Sequence, residues 1–463
     1  MAWQGDLFDF ANVSLITSSD GVSRASVKEE SQVSTANIVK RALKTTHLIE
    51  EIASFNNLQS AVKRVKRNKG GAGIDRMSVG DLVHWFEQNW YELQKSLIGG
   101  TFKPTMVLGA EIPKDNGGVR QLGIPTVIDR VVQQAILQVL EKIYEPQFSE
   151  YSYGFRPKKS AHGALLQASK NIKQGKYVIV DIDLAKFFDE VNHDILMERL
   201  SRKISDKTLL KLIRRFLQAG IMLNGISAER KKGTPQGGPL SPLLANILLD
   251  ELDKELEQRD LAFVRYADDV QIYVGSNKAG ERVMKSVTNF IEQRLKLKVN
   301  HEKSKVTVAG KAEYLGYTLG KAGRLFISKK SLNKAKDKIR FITKRSRGHV
   351  TFMQMVNELN SFLGGWMNYF KLAEAKTKII ALGEWMRRKL RCVTVKRLKR
   401  AKGIARWLMK RGIKRDEAWK LAGSSKGYWR KSMTPQMSMA MSNSWLLNLG
   451  LIDLAERWAN LKH

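Results

Sequence analysis

Cysteine is almost absent from this sequence. The single cysteine, Cys392, can form neither an internal disulfide nor a zinc site of several cysteines, which excludes a secreted disulfide scaffold and fits a reducing compartment. Long apolar runs are also missing, and no stretch approaches the roughly 20 residues that a bilayer-spanning helix needs. The first ten residues lack a basic leader followed by an apolar segment. We therefore expect a soluble intracellular protein that does not enter a membrane.

Acidic residues are scarce relative to basic ones. The 463 residues contain 45 Asp and Glu against 80 Lys and Arg, a formal net charge of +35. Such a chain repels itself unless a polyanion compensates the charge, and nucleic acid is the polyanion that we expect. The hydrophobic fraction of 43% is sufficient for buried cores in two or three domains. A disordered tail and a small stapled module are both excluded.

The positive charge is concentrated in one part of the chain. Residues 329–431 contain 30 Lys and Arg but only 6 Asp and Glu, and seven of the ten tryptophans follow residue 329. Bases interleaved with tryptophan are typical of a surface that contacts phosphates and stacks on nucleobases. The alternative is that the tryptophans form a helical core and the bases a solvated face. A second basic pattern lies at 58–69. The candidate nucleic-acid-binding residues are Lys63, Arg64, Lys66, Arg67, Lys69, Arg387, Arg388, Lys389, Arg391, Lys396, Arg397, Lys399 and Arg400.

The spacing of apolar residues predicts mixed helices and strands followed by a helical region. Apolar residues three and four apart after Thr126 predict an amphipathic helix capped by that threonine. Ser241 as a cap, with Pro242 in the first turn, predicts another helix. Strands are predicted over 177–184, 262–267 and 270–274. From about residue 332 onward the patterns are almost entirely helical.

Two adjacent acids, Asp268 and Asp269, join two of the predicted strands. Asp-Asp is a poor sequence for a tight hairpin, which favours Asn-Gly or Asp-Gly. In so basic a protein, an acidic turn beside nucleic acid would repel phosphates unless divalent cations lie between them. Enzymes that transfer phosphoryl groups on nucleic acids use such carboxylates to hold two magnesium ions. A solvated surface turn is the alternative.

A third carboxylate is available on the strand predicted over 177–184. Its period of two sends the apolar residues to one face and both Asp181 and Asp183 to the other. Periodicity does not choose between the two acids.

Several motifs resemble, in this order, those of reverse transcriptases of the group II intron branch. The motifs similar to the palm are DLAKFFD at 183–189, GTPQGGPLSPLLANI at 233–247 and YADD at 266–269. Those similar to the fingers and to later signatures are IPK at 112–114, GGVRQLGIP at 117–125, YSYGFRP at 151–157, LKVN at 297–300, EKSK at 302–305 and YLGY at 314–317. GWMNYF at 365–370 and WMRRKLR at 385–391 resemble the thumb, or maturase, domain. The resemblance runs from about residue 58 to the end of the sequence.

This resemblance implies an α+β right-hand polymerase fold, with fingers and palm of the reverse transcriptase type followed by an all-α thumb. The expected domains are a flexible extension at 1–50, an N-terminal fingers extension at 51–111, fingers and palm at 112–320, a helical thumb or maturase domain at 329–431 and a short C-terminal segment at 432–463. The paired cysteines and histidines of the family's endonuclease domain are missing. We therefore expect the compact bacterial class, which lacks that domain and uses an existing 3′ end as primer.

The resemblance also implies roles for single residues. In the family an aromatic gate follows the metal-binding Asp by five positions, which selects Asp183 with Phe188. The catalytic and metal-binding residues are then Asp183, Asp268 and Asp269, with two Mg²⁺ ions as cofactor. The bulk of Phe188 would exclude a ribose 2′ hydroxyl, so the expected substrates are dNTPs. The other candidates for nucleotide binding are Lys114, Arg120, Leu184 through its carbonyl, Gln236 and Lys303.

The implied function is that of a group II intron reverse transcriptase, which copies RNA into DNA and binds its intron RNA to assist splicing and mobility. The expected partners are intron RNA, an RNA template with a DNA primer, a DNA target and dNTPs. The expected location is the bacterial cytoplasm, at the nucleoid when the protein is bound to DNA. One alternative is a related enzyme recruited to host defence or DNA repair. The other is a binding-only splicing maturase, which would need a broken carboxylate triad.

Overall fold

A computed structural model describes residues 46–113, 118–223 and 226–461. The flexible extension expected at 1–50 lies almost entirely outside these residues, as does Lys114. The described chain divides into two compact units, one that ends at Val308 and one that begins at Ala309. Within the described ranges, no helix is both long enough and apolar enough to span a membrane.

The first unit mixes helices and strands, as the hydrophobic spacing predicts. Its elements in chain order are α1 (Leu48–Ala53), α2 (Phe55–Arg67), α3 (Leu82–Ile98), β1 (Val107–Pro113), β2 (Val119–Ile124), α4 (Val127–Tyr144), α5 (Ala161–Lys173), β3 (Val178–Ile182), α6 (Phe187–Glu190), α7 (His193–Ser201), α8 (Lys207–Gln218), β4 (Ile221–Leu223), β5 (Ile226–Ala228), α9 (Ser241–Gln258), β6 (Ala262–Tyr266), β7 (Asp269–Val274), α10 (Asn277–Gln293) and β8 (Lys305–Val308).

Two sheets organise this unit. The first has the strand order β2-β1-β4-β5, in which β1 pairs antiparallel with β2 and parallel with β4. The second, which we call the palm sheet, has the order β6-β7-β3-β8 with every neighbouring pair antiparallel. Helix α10 packs on β3, β7 and β8, and α5 and α9 pack on β6. Burial of β-branched residues such as Val178, Val180 and Ile182 explains why β3 forms at the centre of the palm sheet.

The sequence predicts the N-cap of one of the two predicted helices correctly and that of the other wrongly. Thr126 caps α4 as predicted, since its hydroxyl accepts a hydrogen bond from the Asp129 amide. The prediction that Ser241 caps α9 is wrong, because Ser241 is already the first helical residue and Leu240 precedes it without a side-chain cap. The Ser241 hydroxyl instead donates to the Pro235 carbonyl, 2.7 Å away, and so satisfies a buried acceptor in the preceding loop.

The second unit is mostly helical, as predicted from about residue 332. A small antiparallel sheet of β9 (Glu313–Tyr314), β10 (Tyr317–Leu319) and β11 (Leu325–Ile327) comes first. The helices that follow are α11 (Lys329–Ile342), α12 (Phe352–Phe370), α13 (Lys376–Leu398), α14 (Ala401–Met409), α15 (Arg415–Gly423), α16 (Tyr428–Lys431), α17 (Pro435–Ala440), α18 (Asn443–Asn448) and α19 (Leu454–Asn460). Thr351 starts α12 with a capping box, in which its side chain and that of Gln354 bond reciprocally to backbone amides.

Candidate active site

The palm sheet brings the predicted acids to one edge. Strand β3 ends at Ile182, so Asp183 follows it directly, and β7 begins at Asp269. Ile182 pairs with Val270 in the antiparallel register of these neighbouring strands. Asp183 and Asp269 therefore emerge side by side, and Asp268 lies in the turn just before β7.

This turn has an unusual backbone. Tyr266 pairs with Asp269, and between them Ala267 has a φ of +57°, in the left-handed region that side chains disfavour. The loop at 151–157 packs directly against it, since a Cβ added to Gly154 would lie 2.1 Å from the Ala267 amide nitrogen. The sequence places the acids between the strands, whereas the structure makes Asp269 the first residue of β7.

The carboxylates act on one another electrostatically. Desolvation by the surrounding protein, together with the negative charges of Asp268, Asp181 and Asp183, raises the pKa of Asp269 from 3.8 to about 7, while the charge of Lys303 lowers it. Water nevertheless reaches the Asp269 side chain. The Lys303 Nζ lies 3.6 Å from the Asp183 Oδ2. The site therefore concentrates negative charge that a cation can reach.

The donor set fits magnesium in its chemistry. Carboxylate oxygens are the hard ligands that Mg²⁺ prefers, and burial together with the neighbouring negative charges raises the pKa of Asp269, so a cation placed here would be favoured. Among the described residues, no group of three or more His, Cys, Asp or Glu side chains is arranged to hold a metal ion by itself. Catalytic magnesium usually takes only one or two carboxylates, with water and substrate phosphates completing its shell. The three acids therefore fit a site that substrate helps to complete.

The backbone of Asp183 is held by residues of the later motif. Its carbonyl accepts from the Asn300 amide at 2.8 Å, and its amide donates to the Ser304 Oγ at 3.0 Å. The next residue, Leu184, is buried and pairs with Val299. The sequence shows the motifs at 297–300 and 302–305, but it does not indicate this role for Asn300 and Ser304 because their partner lies more than 100 positions earlier.

Asp181 lies within β3, and its carboxylate bonds to the neighbouring strand β7. Asp181 pairs with Gln271, whose Nε2 donates to the Asp181 Oδ1 at 3.2 Å, and the Tyr273 hydroxyl donates to the Gln271 Oε1 at 3.0 Å. Desolvation raises the pKa of Asp181. The Asp181 carboxylate is therefore engaged with the neighbouring strand, although its charge also acts on Asp269.

Phe188 lies on the short helix α6. Its ring is half-buried and packs edge-on against the core residue Phe187, with 5.1 Å between ring centroids. Its carbonyl accepts from the Thr234 amide at 2.6 Å, which joins α6 to the glycine-rich loop at 233–238. Phe188 is therefore fixed at its backbone and retains an exposed part of its ring.

The glycine-rich loop packs closely against strand β2 of the protein. The Gln236 carbonyl accepts from the Gly123 amide at 2.8 Å. Gly237 has a φ of +131°, and a Cβ there would lie 2.5 Å from the Gly123 carbonyl oxygen. Its glycine requirement is thus explained by packing against β2. Gln236 itself is half-buried.

The structure does not describe the side chains of two nucleotide-binding candidates, Lys114 and Arg120. Lys114 lies outside the described residues. The backbone of Arg120 pairs with Ile112 in the β1–β2 hairpin, and its side chain also lies outside the described part.

The basic pattern at 58–69 falls on helix α2 and the two residues that follow it. Leu58, Ala61, Val62 and Val65 are buried on one face. The exposed candidates are Lys63, Arg64, Lys66, Arg67 and Lys69.

In the second unit, several predicted nucleic-acid-binding residues instead contact the protein. The Arg388 guanidinium lies 3.7 Å from the centroid of the Trp429 ring and donates to the Trp429 carbonyl. Arg391 donates to the Met441 carbonyl, and Arg397 donates to the carbonyls of Arg347 and Val350 in the loop between α11 and α12. These guanidinium groups hold helices together.

Of the other candidates in this unit, two are exposed and three are half-buried, as the three packed arginines also are. Lys399 and Arg400 are exposed, and Arg387, Lys389 and Lys396 are half-buried. The tryptophans divide similarly: Trp366 and Trp458 are buried in the core, whereas Trp419 is exposed.

Comparison with known proteins identifies both units. Residues 112–319 match the family model described as reverse transcriptase (RNA-dependent DNA polymerase), and residues 332–413 match that of the group II intron maturase-specific domain. The chain belongs to the group II intron family of reverse transcriptases. It is thus an RNA-directed DNA polymerase, and the predicted right-hand fold with a helical maturase region is confirmed. Reverse transcriptases generally use divalent metal ions.

Individual relatives support the same family. This reverse transcriptase is 31% identical over 306 residues to Protein YkfC of Escherichia coli strain K12, covering 57% of this chain and 80% of that protein. It is 30% identical over 386 residues to Group II intron-encoded protein LtrA of Lactococcus lactis, covering 62% of this chain and 64% of LtrA. The chain thus spans just under two thirds of LtrA. A solved chain of a "Partial Cas6-RT-Cas1--Cas2 complex" is 26% identical and covers 53% of this chain and 42% of its own, with a TM-score of 0.34, too low to establish a shared fold.

Proposed function

We propose that this reverse transcriptase copies RNA into DNA by attack of a primer 3′ hydroxyl on the α-phosphate of a dNTP. Asp183, Asp268 and Asp269 would hold two magnesium ions between the primer end and the triphosphate. The proposal rests on the convergence of these acids at one edge of the palm sheet. When bound, magnesium lowers the pKa of the attacking hydroxyl and offsets the charge of the leaving pyrophosphate.

The remaining residues have complementary roles in this proposal. Lys303, beside Asp183, would contact the leaving phosphates as they separate. The exposed part of the Phe188 ring would occupy the space of a ribose 2′ hydroxyl and so select dNTPs. Lys114 and Arg120 would hold the triphosphate from the fingers. Gln236 and the Leu184 carbonyl would lie against the nucleotide.

We also propose that the protein binds its intron RNA and assists splicing and mobility in a bacterial cytoplasm. The match of residues 332–413 to the maturase-specific domain supports this role, and so does the basic charge of 329–431. A binding-only maturase is disfavoured because the three acids are present and lie at one edge of one sheet.

A primer-extension assay tests the polymerase proposal. The protein is incubated with a DNA primer annealed to an RNA template, with dNTPs and with Mg²⁺, Mn²⁺ or EDTA. Extension that needs Mg²⁺ and dNTPs is the expected result. High-affinity RNA binding without extension in either Mg²⁺ or Mn²⁺ would instead show a binding-only protein.

A further inference from the structure

Among the residues that the structure describes, Arg265, two residues before the turn, has the largest side chain that is completely buried. Its side chain and that of Asp253 on α9 are both 0% exposed, and they form a two-bonded ion pair. One of these bonds joins the Arg265 Nε to the Asp253 Oδ1 at 2.7 Å. The pair anchors β6 to α9.

The rest of the guanidinium is directed to the turn. The Arg265 Nη1 donates to the Ala267 carbonyl at 3.0 Å and to the Asn246 Oδ1 at 2.9 Å. Asn246 in turn donates from its Nδ2 to the Gly154 carbonyl at 2.9 Å. The Arg265 side chain therefore joins α9 to the turn, and Asn246 extends this link to the loop that packs against the turn.

Stability alone does not explain this arrangement. Apolar residues of similar volume often replace a buried ion pair without loss of stability. A lysine could supply the charge, but only the planar fork of arginine bonds Asp253 and the Ala267 carbonyl in one geometry. Ala267 has a left-handed backbone, which is unfavourable for a residue with a side chain and persists only where its surroundings enforce it.

We propose that Arg265 is a positioning residue for the two acids of the turn. By holding the Ala267 carbonyl, it fixes the left-handed backbone and thereby the directions in which Asp268 and Asp269 point. The inference rests on the proposed function, since it assumes that these two acids bind the metal ions.

A purely structural ion pair is the competing explanation, and the chain offers a matched control for it. Arg199 on α7 pairs with Glu251, which lies on α9 like Asp253. The Arg199 side chain is 11% exposed, and its hydrogen bonds run to Glu251 and Glu198. Arg199→Lys thus perturbs a comparable pair on the same helix without touching the turn.

The test compares Arg265→Lys and Arg199→Lys with the parent protein. Three quantities are measured: the melting temperature, the affinity for Mn²⁺ without substrate by electron paramagnetic resonance, and the Mg²⁺ dependence of kcat. Both variants are expected to melt at lower temperature. Only Arg265→Lys should weaken Mn²⁺ binding, about tenfold, and raise the Mg²⁺ concentration for half-maximal kcat. Unchanged values of both in Arg265→Lys would overturn the proposal.

A second variant covers the case in which Arg265→Lys does not fold. Asn246→Ala leaves the Arg265–Asp253 ion pair in place and removes the link to Gly154, so a smaller weakening of Mn²⁺ binding is expected. Unchanged Mn²⁺ affinity in this variant would then count against the proposal. Asp268→Asn separates the metal role of the acids from the positioning role of Arg265. If Asp268→Asn leaves Mn²⁺ binding and primer extension intact, the proposed function itself fails. If Asp268→Asn abolishes both but Arg265→Lys changes neither, only the positioning role is overturned.

Discussion

The ammonium group of Lys303 lies 3.6 Å from the carboxylate of Asp183, although both side chains are substantially exposed, at 59% and 36%. Ion pairs this exposed contribute little to folding stability. The contact is therefore better explained by chemistry at the palm edge than by stabilisation of the fold, and the two roles make different predictions.

Replacing Lys303 with Met should leave the melting temperature nearly unchanged and lower kcat/KM for dNTPs on the order of 10- to 100-fold, because a cation beside the leaving phosphates is lost. Steady-state primer extension gives the kinetic value. Lys298→Met is the matched control, since this exposed lysine lies in the same segment as Lys303. The Lys298 Nζ is 4.0 Å from the Glu190 carboxylate. Equal kinetic losses in both variants would show that general positive charge, rather than the position of Lys303, matters.

Replacing Asp268 with Asn should lower primer extension about a thousandfold or more, because an amide oxygen is a much weaker magnesium ligand than a carboxylate. Binding of RNA, measured by filter retention, should persist. Asp194→Asn serves as the control because this acid is 82% exposed and lies on α7. Near-normal DNA yield from Asp268→Asn would refute the metal assignment.

Replacing Phe188 with Val should raise the ratio of kcat/KM for rNTPs over dNTPs about tenfold, because the smaller side chain leaves room for the 2′ hydroxyl. Single-nucleotide incorporation measures both values. Phe187→Leu tests the neighbouring buried ring, and it should lower stability without changing the ratio. If the two variants shift the ratio equally, Phe188 acts through the core and another residue selects the sugar.

The features that depend on local pattern could be predicted from the sequence. Thr126 is followed by a regular apolar spacing and caps its helix, and alternating apolar residues mark β3 and β7. The adjacency of Asp268 and Asp269 is also local, whereas the grouping of Asp183 with them followed from the resemblance to reverse transcriptases and not from periodicity.

Features that depend on long-range contacts could not be predicted. In the sequence, Arg265 looks like an ordinary strand residue, because its partners Asp253 and Asn246 lie on a helix 12 and 19 positions earlier. Ser304 bonds to a residue 121 positions earlier. Arg388 shows the same limit, because composition counts its charge but does not show that backbone and a tryptophan ring already contact it.

Replacing Asp129 with Asn should change how stability depends on pH. Burial raises the pKa of Asp129 from 3.8 to about 6, against hydrogen bonds from Thr126 and Thr105, which lower it. Because the folded state holds the proton more tightly, ionisation destabilises the fold as pH rises from about 4 to 6, by about 3 kcal/mol at most. The Asn variant cannot ionise and should gain melting temperature relative to the parent over that range. A constant difference between pH 4 and 7 would contradict this.

In the basic stretch of the second unit, we expect the exposed bases to contribute most to RNA binding. Lys399, Arg400 and Lys402 are exposed around the start of α14. Replacing all three with Gln should weaken RNA binding and flatten its salt dependence, each lost phosphate contact lowering the log-log slope by roughly 0.7 to 0.9. Affinities measured between low and moderate salt give the slope, and a primer at saturating concentration should still be extended.

Arg388→Gln is the matched comparison for these exposed bases. Its guanidinium lies over Trp429 and donates to the carbonyl of that residue, so its loss should lower the melting temperature and alter the salt slope little. Arg388 therefore separates a base that packs from a base that binds. If Arg388→Gln flattens the slope and the triple variant does not, the packed arginines contact RNA and the exposed bases around α14 form only a solvated face.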